Sequence, residues 1–158
     1  MKVEQVMTRD VKLCRPEQSL SDAARLMWDH ACGCVPVVDD RDRVVGVLTD
    51  RDVCMAAYTR GLPLADMTVS SAMSRRVFAC HMGDALETAE AIMREHQVRR
   101  LPVLWFEDRI VGLLSLSDIA REAERRKGQR SKDLSPDAIR STLVAVGHVR
   151  TKAEIPLI

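Results

Sequence analysis

The sequence predicts an α+β fold: two βαββα repeats packed sheet to sheet about a pseudo-twofold axis. Three observations carry that reading. A single offset of 66 residues aligns two halves without a gap, pairing Met7 with Met73, Val11 with Val77, Cys14 with Cys80, Leu20 with Leu86, Met27 with Met93, Pro36 with Pro102, Gly46 with Gly112 and Asp52 with Asp118. Each half alternates short apolar runs with segments of helical period. Each half is also too small to bury an apolar sheet face alone, so the two must cover one another.

In the first copy, residues 11–14 read as a short extended stretch ended by Pro16. Ser19 is an N-cap, and Leu20, Ala23, Ala24, Met27 and Ala31 follow helical spacing to a stop at Gly33. An apolar strand over 35–38, the polar turn Asp39-Asp40-Arg41-Asp42 and a second strand over 44–48 come next. Gly46 interrupts that second strand, a mark of close backbone approach. Thr49 or Asp50 caps a helix to about Arg60, which Gly61-Leu62-Pro63 breaks.

The second copy repeats the order. An extended stretch over 77–80 leads to Asp84, read as the cap of a helix carrying Leu86, Ala89, Ile92 and Met93. Strands over 101–104 and 110–114 follow, and Ser115 or Ser117 opens a helix running into Arg125-Arg126-Lys127. The division expected is residues 1–62 for the first repeat, 63–127 for the second, and 128–158 for a linker and C-terminal helical tail. In the tail, Ser135-Pro136-Asp137 starts a helix with an Ile139, Leu143 and Val146 stripe, closed by Gly147.

Composition narrows the function classes. Of 158 residues, 24 are Lys or Arg and 23 are Asp or Glu, a balance that argues against nucleic acid or a membrane surface as the partner. No apolar run is long enough to span a bilayer and the N-terminus lacks a signal-peptide pattern, so the expected setting is cytoplasmic. The five cysteines are scattered and match no zinc spacing, so they read as free thiols and no metal is expected. No Ser/His/Asp order, glycine-rich phosphate loop or HExxH appears, so no catalytic residue is assigned and the chain is not expected to be an enzyme.

Several segments together carry a family resemblance: Val6-Met7-Thr8 and Ala72-Met73-Ser74, which open the copies; His96-Gln97-Val98-Arg99-Arg100-Leu101-Pro102-Val103; and Gly46-Val47-Leu48-Thr49-Asp50-Arg51-Asp52-Val53. Over residues 1–126 the chain resembles a tandem pair of CBS domains, the family named after cystathionine β-synthase. The resemblance implies a two-fold sandwich with two clefts. It also implies an adenosine-type regulatory ligand (AMP, ADP, ATP, NAD or S-adenosylmethionine), no obligatory cofactor, and a disc-like homodimer that signals to a regulated partner.

The candidate ligand residues follow from the junctions. Asp52 and Asp118 each stand three residues after a hydroxyl, Thr49 and Ser115. A carboxylate can accept from both ribose hydroxyls, and a hydroxyl at a helix N-terminus can meet phosphate. Taken alone the same four residues would read as helix caps; the repeat context favours the ligand reading. Arg51 is assigned to phosphate in the first cleft, Arg99 and Arg100 to phosphate in the second copy. Val11, Val35, Val77 and Leu101 could sandwich an adenine or pack in the core. His96 reads as a solvated helix end. Trp105-Phe106, in a turn, would pack under the tail or face a partner. The reading is thus a stand-alone regulatory nucleotide-binding pair, with a ligand-independent dimerisation module as the alternative.

Overall fold

The computed structural model describes residues 1–126 and 136–147. The first repeat contains α1 (Leu20–Asp29), β1 (Cys34–Val38), β2 (Val44–Thr49) and α2 (Asp50–Arg60). The second contains β3 (Cys80–His81), α3 (Leu86–His96), β4 (Arg100–Leu104), β5 (Ile110–Ser115) and α4 (Leu116–Arg125), followed by α5 (Pro136–Gly147). β1 pairs with β2 antiparallel, and β4 with β5 in the equivalent register, Pro36 opposite Val47 and Pro102 opposite Leu113. The two opening stretches differ. Cys80 and His81 form a parallel strand on β4, whereas in the first copy only Cys14 bridges to Val37.

Local chemistry explains most boundaries. The Ser19 hydroxyl accepts from the Asp22 amide at 3.0 Å and starts α1. Thr49 and Ser115 cap α2 and α4, each reciprocated by the aspartate three residues on. α2 stops at Gly61, whose left-handed φ of 62° costs a glycine little. Two expectations need correction. Asp84 does not cap α3: the cap residue is Ala85, which has no side chain to offer, and the Asp84 carboxylate instead accepts from the His81 amide at 2.8 Å. Gly33 does not stop α1: the helix ends at Asp29, and Ala31 takes the left-handed turn at φ 49°, as its counterpart Gln97 does at φ 52°.

The core is two clusters, and each contains a segment from the other copy. Val3 and Met7 pack with Cys80, Leu86, Met93, Leu101 and Ile119, while Met67, Val69 and Met73 pack with Cys14, Leu20, Met27, Val35 and Leu48. Residues 1–8 and 67–74 therefore cross between the repeats. Met1 O accepts from Leu86 N at 2.9 Å and Met67 O from Leu20 N at 2.8 Å. Thr8 and Leu113 exchange two backbone hydrogen bonds of 2.9 Å, and Ser74 and Val47 make the equivalent pair at 2.9 and 3.0 Å. This explains the two strand glycines. A Cβ at Gly46 would lie 2.6 Å from Met73 Sδ and 3.0 Å from Ser74 O, and one at Gly112 2.7 Å from Met7 Sδ and 2.9 Å from Thr8 O. The pseudo-twofold axis passes near Arg43 and Arg109, which are repeat equivalents bridged to each other.

β1 is buried at every position. Val35 and Val37 pack in the cluster with Cys14 and Leu20, so Cys34, Pro36 and Val38 turn to the opposite side of the strand. Burial pushes the thiols of Cys14 and Cys80 up to about 12 and that of Cys34 to about 11, as fits thiols acting as small apolar groups.

In the tail, α5 packs on α3 and α4, with Val146 buried and Ile139 partly so. Leu143 is exposed and Thr142 is fully buried instead, accepting from Arg94 Nη1 at 2.9 Å. The stripe is thus Ile139, Thr142 and Val146, because the helix turns a different face inward than its apolar residues alone suggest. Trp105 and Phe106 are exposed and do not lie in the cluster that α5 covers. The linker 128–132, Ser135 and residues after Gly147 lie outside the described residues.

Candidate functional site

The crossing segments make each cleft a joint product of both copies. One cavity of about 520 Å³ opens between them. The first repeat supplies Val47, Thr49 and Asp52 from the end of β2 and the start of α2; the crossing segment supplies Ser74, Arg76 and Phe78; the second repeat supplies Glu95, His96, Val98 and Arg100 from the end of α3 and the start of β4. Of the residues singled out in sequence, Thr49, Asp52 and Arg100 meet here, although Arg100 belongs to the opposite copy.

The capping box sets the chemistry of Asp52. Its Oδ2 accepts from Thr49 N at 2.8 Å and Thr49 Oγ1 at 2.7 Å. Its Oδ1 accepts from no group among the described residues, and Asp52 lines a cavity large enough for a ligand. The Thr49 hydroxyl is already donating to Asp52, so capping and lining are one arrangement rather than rival readings. Around this acceptor stand two guanidinium groups, Arg76 and Arg100, neither in an ion pair among the described residues. Arg76 lies over the Phe78 ring, 5.0 Å from its centroid. His96 stacks on Phe78 with ring centroids 3.8 Å apart and planes 10° from parallel. His96 is therefore part of a cleft wall and not a solvated helix end. Ser74, Arg76 and Phe78 escaped the sequence reading. The signal was present in the 66-residue offset and in Gly46, but only the crossing of residues 67–74 brings them here.

The equivalent positions on the other side hold different groups. Asp118 Oδ2 accepts from Ser115 N at 2.8 Å and Ser115 Oγ at 2.5 Å, as in the first cleft. Its Oδ1 is also taken, by the Arg121 guanidinium and by Thr8 Oγ1 at 3.4 Å. The counterparts of Arg76 and Phe78 are Asp10 and Lys12, an ion pair at 2.9 Å in which Lys12 holds the Asp10 carboxyl below its ordinary value. The counterpart of Arg100 is the buried Cys34.

The remaining candidates stand apart. Val35 and Leu101 are wholly buried in the two core clusters, and Val11 and Val77 are half-buried outside the residues lining the cavity. Arg51 and Arg99 are exposed and also outside that lining. A second depression, of about 650 Å³, lies on the outer face of α1 and α2, lined by Met27, Trp28, Cys32, Val53 and Cys54. Trp28 in its lining is 86% exposed and Tyr58, further along α2, 84%, whereas α5 packs on α3 and α4 of the second repeat.

Comparison with known proteins agrees with the fold. The family model for the CBS domain matches residues 3–58 and 69–125. The CBS domain-containing protein YhcV of Bacillus subtilis is 35% identical over 118 residues, covering 75% of this chain and 82% of the relative. The crystal structure of Hypoxic Response Protein I with two coordinated zinc ions shares 31% identity at a TM-score of 0.70, covering 77% of this chain and 98% of that one. That of CBSX2 in complex with AMP shares 26% at 0.71, covering 80% and 98%. Among the described residues here, no group of three His, Cys, Asp or Glu side chains is placed to hold a metal. No helix among them is long and apolar enough to cross a membrane.

Proposed function

This chain belongs to the CBS-domain family, and from that premise we propose that it is a cytoplasmic regulatory module, not an enzyme, that binds an adenosine-type nucleotide and signals to a partner protein by a change of shape. The observation that carries the reading is Asp52. Among the described residues its capped carboxylate has one oxygen without a hydrogen-bond donor, in the lining of a cavity that also holds Arg76 and Arg100, neither of them ion-paired there. Vicinal ribose hydroxyls suit that oxygen, and phosphate suits the arginines. The AMP bound to CBSX2, a protein of the same fold and 26% identity, supports this choice of ligand class. Because each cleft is built from both copies, a ligand there bridges them, and differential contact with two arrangements is what moves an equilibrium between them. Isothermal titration calorimetry with AMP, ATP, NAD and S-adenosylmethionine tests the reading. At least one binds, and Asp52→Ala weakens it by about tenfold or more, the loss of a charge-assisted hydrogen-bond pair. No heat with any of the four refutes it.

A second reading, an interaction module that dimerises without ligand, is favoured by one feature. The open face carrying Trp28 and Tyr58 is the kind of aromatic surface that anchors interfaces. A homodimer through that face is compatible with both readings. Sedimentation of the chain with and without AMP separates them: ligand-dependent change belongs to the first, a ligand-indifferent dimer to the second.

A further inference from the structure

The two clefts share a backbone and differ in charge. We propose that they have diverged into one anion-selecting ligand site and one site that the protein fills itself. In the first cleft, Arg76 and Arg100 select a phosphorylated adenosine ligand over an uncharged or cationic one. In the second, Arg121 occupies the carboxylate oxygen that a ligand hydroxyl needs. This rests on the nucleotide reading above and goes beyond it by assigning the ligand's charge and the number of sites.

The argument is a comparison at equivalent positions. Arg76 and Arg100 face the first cavity without an ion pair among the described residues. Two guanidiniums, neither ion-paired among the described residues, share the lining with the carboxylates of Asp52 and Glu95, the latter 3.9 Å from His96 Nε2, and each guanidinium offers a planar fork of donors that matches phosphate. An uncharged nucleoside would leave both forks without a phosphate, and a sulfonium ligand would bring a positive charge to them. At the equivalent positions of the other copy stand Asp10 and Cys34, which offer no such forks, and Lys12 is already spent on Asp10. The acceptor differs as well. Asp52 Oδ1 is open because the residue three positions on is Met55; the counterpart of Met55 is Arg121, whose guanidinium reaches Asp118 Oδ1. Thr8 Oγ1 stands 3.4 Å from the same oxygen, a long contact that leaves Arg121 as its close partner.

The test is calorimetry on the full chain with AMP, adenosine and S-adenosylmethionine. The expected result is one AMP per chain, bound about tenfold or more tightly than adenosine at low salt, with the gap narrowing as salt is raised. S-adenosylmethionine binds no better than adenosine. Arg76→Asp and Arg100→Cys, which install the residues of the second cleft, each lower AMP affinity about fivefold or more and leave adenosine within about twofold. Arg121→Met, which installs the residue of the first repeat, adds a second adenosine per chain. All three arginines are exposed, and circular dichroism verifies that each variant is folded. Two AMP per wild-type chain, or AMP no tighter than adenosine, overturns the proposal while the nucleotide reading stands. Arg121→Met still holding one adenosine overturns the role given to Arg121. No binding of any of the three ligands removes the nucleotide reading and this proposal together.

Discussion

The first and second repeats are the same backbone put to two uses. Both have a capping box at the end of the second hairpin strand, a glycine under a crossing methionine, and a left-handed residue after the first helix. They differ where side chains meet something outside the repeat. The first leaves its helical face open around Trp28 and its cleft carboxylate half free; the second covers the face with α5 and pairs the carboxylate with Arg121. The difference teaches that duplication holds on to what builds the backbone crossing, since a change there is felt in both halves. The lining of each cleft is exposed to no such constraint, and there the copies have parted.

The comparison breaks most severely at the glycines. Gly46→Val and Gly112→Val each force a branched side chain against a methionine sulfur and a backbone carbonyl, and the carbonyl cannot yield without loosening the crossing hydrogen bonds. Each is expected to cost about 2–3 kcal/mol, a typical overpacking penalty. Urea denaturation checks this, and similar losses at both positions mark the crossing as symmetric. A large loss at only one shows that the two crossings carry different weight.

A smaller effect separates the two helical faces. Glu90 on α3 is 2% exposed and its Oε1 has no hydrogen-bond partner among the described residues, whereas its counterpart Ala24 lines the open groove. Burial raises the Glu90 carboxyl above its ordinary value of 4.5; Arg94 opposes the shift and Glu87 adds to it. The folded state therefore holds that proton more tightly than the unfolded chain. Its stability is highest below 4.5 and falls as pH rises through the raised folded value. Glu90→Gln keeps the volume and cannot ionise, so relative to wild type its stability is higher above that range by about 1–2 kcal/mol, the scale of a poorly satisfied buried polar group. Thermal melts at pH 4 and pH 8 read the difference, and wild type and variant changing in parallel would sink the idea.

The smallest effect sharpens the comparison of helix starts. Ser19→Ala is expected to cost about 1 kcal/mol, because it removes the cap that α3 lacks. The reciprocal Ala85→Ser is expected to return about half of that, since a hydroxyl there meets the same orphan amides. Denaturation midpoints of both variants and their double mutant measure it, and no gain from Ala85→Ser would mean that Asp84 and the Met1 segment already satisfy that end.

Some of this was legible in the sequence. The repeat, its register and the two capping boxes follow from local chemistry: a 66-residue offset, apolar period, and a hydroxyl three residues before an aspartate. The positions of Thr49, Asp52, Ser115 and Asp118 follow from the same rules. The misreadings have one cause, that neighbours far apart in sequence decide a side chain's surroundings. Asp84 looked like a cap but found the His81 amide; Leu143 looked like part of a stripe but faces outward; His96 looked solvated but found Phe78. By itself the sequence determined that two like units exist and where each begins its helices, because those are contacts within a few residues. Only the tertiary structure decided that residues 1–8 and 67–74 change sides, and hence that Arg76 and Arg100 stand with Asp52 while Asp118 stands with Arg121. The physical reason is that burying Met7 and Met73 against the opposite sheet is a contact between repeats, and no pattern within one repeat encodes which neighbour it will meet.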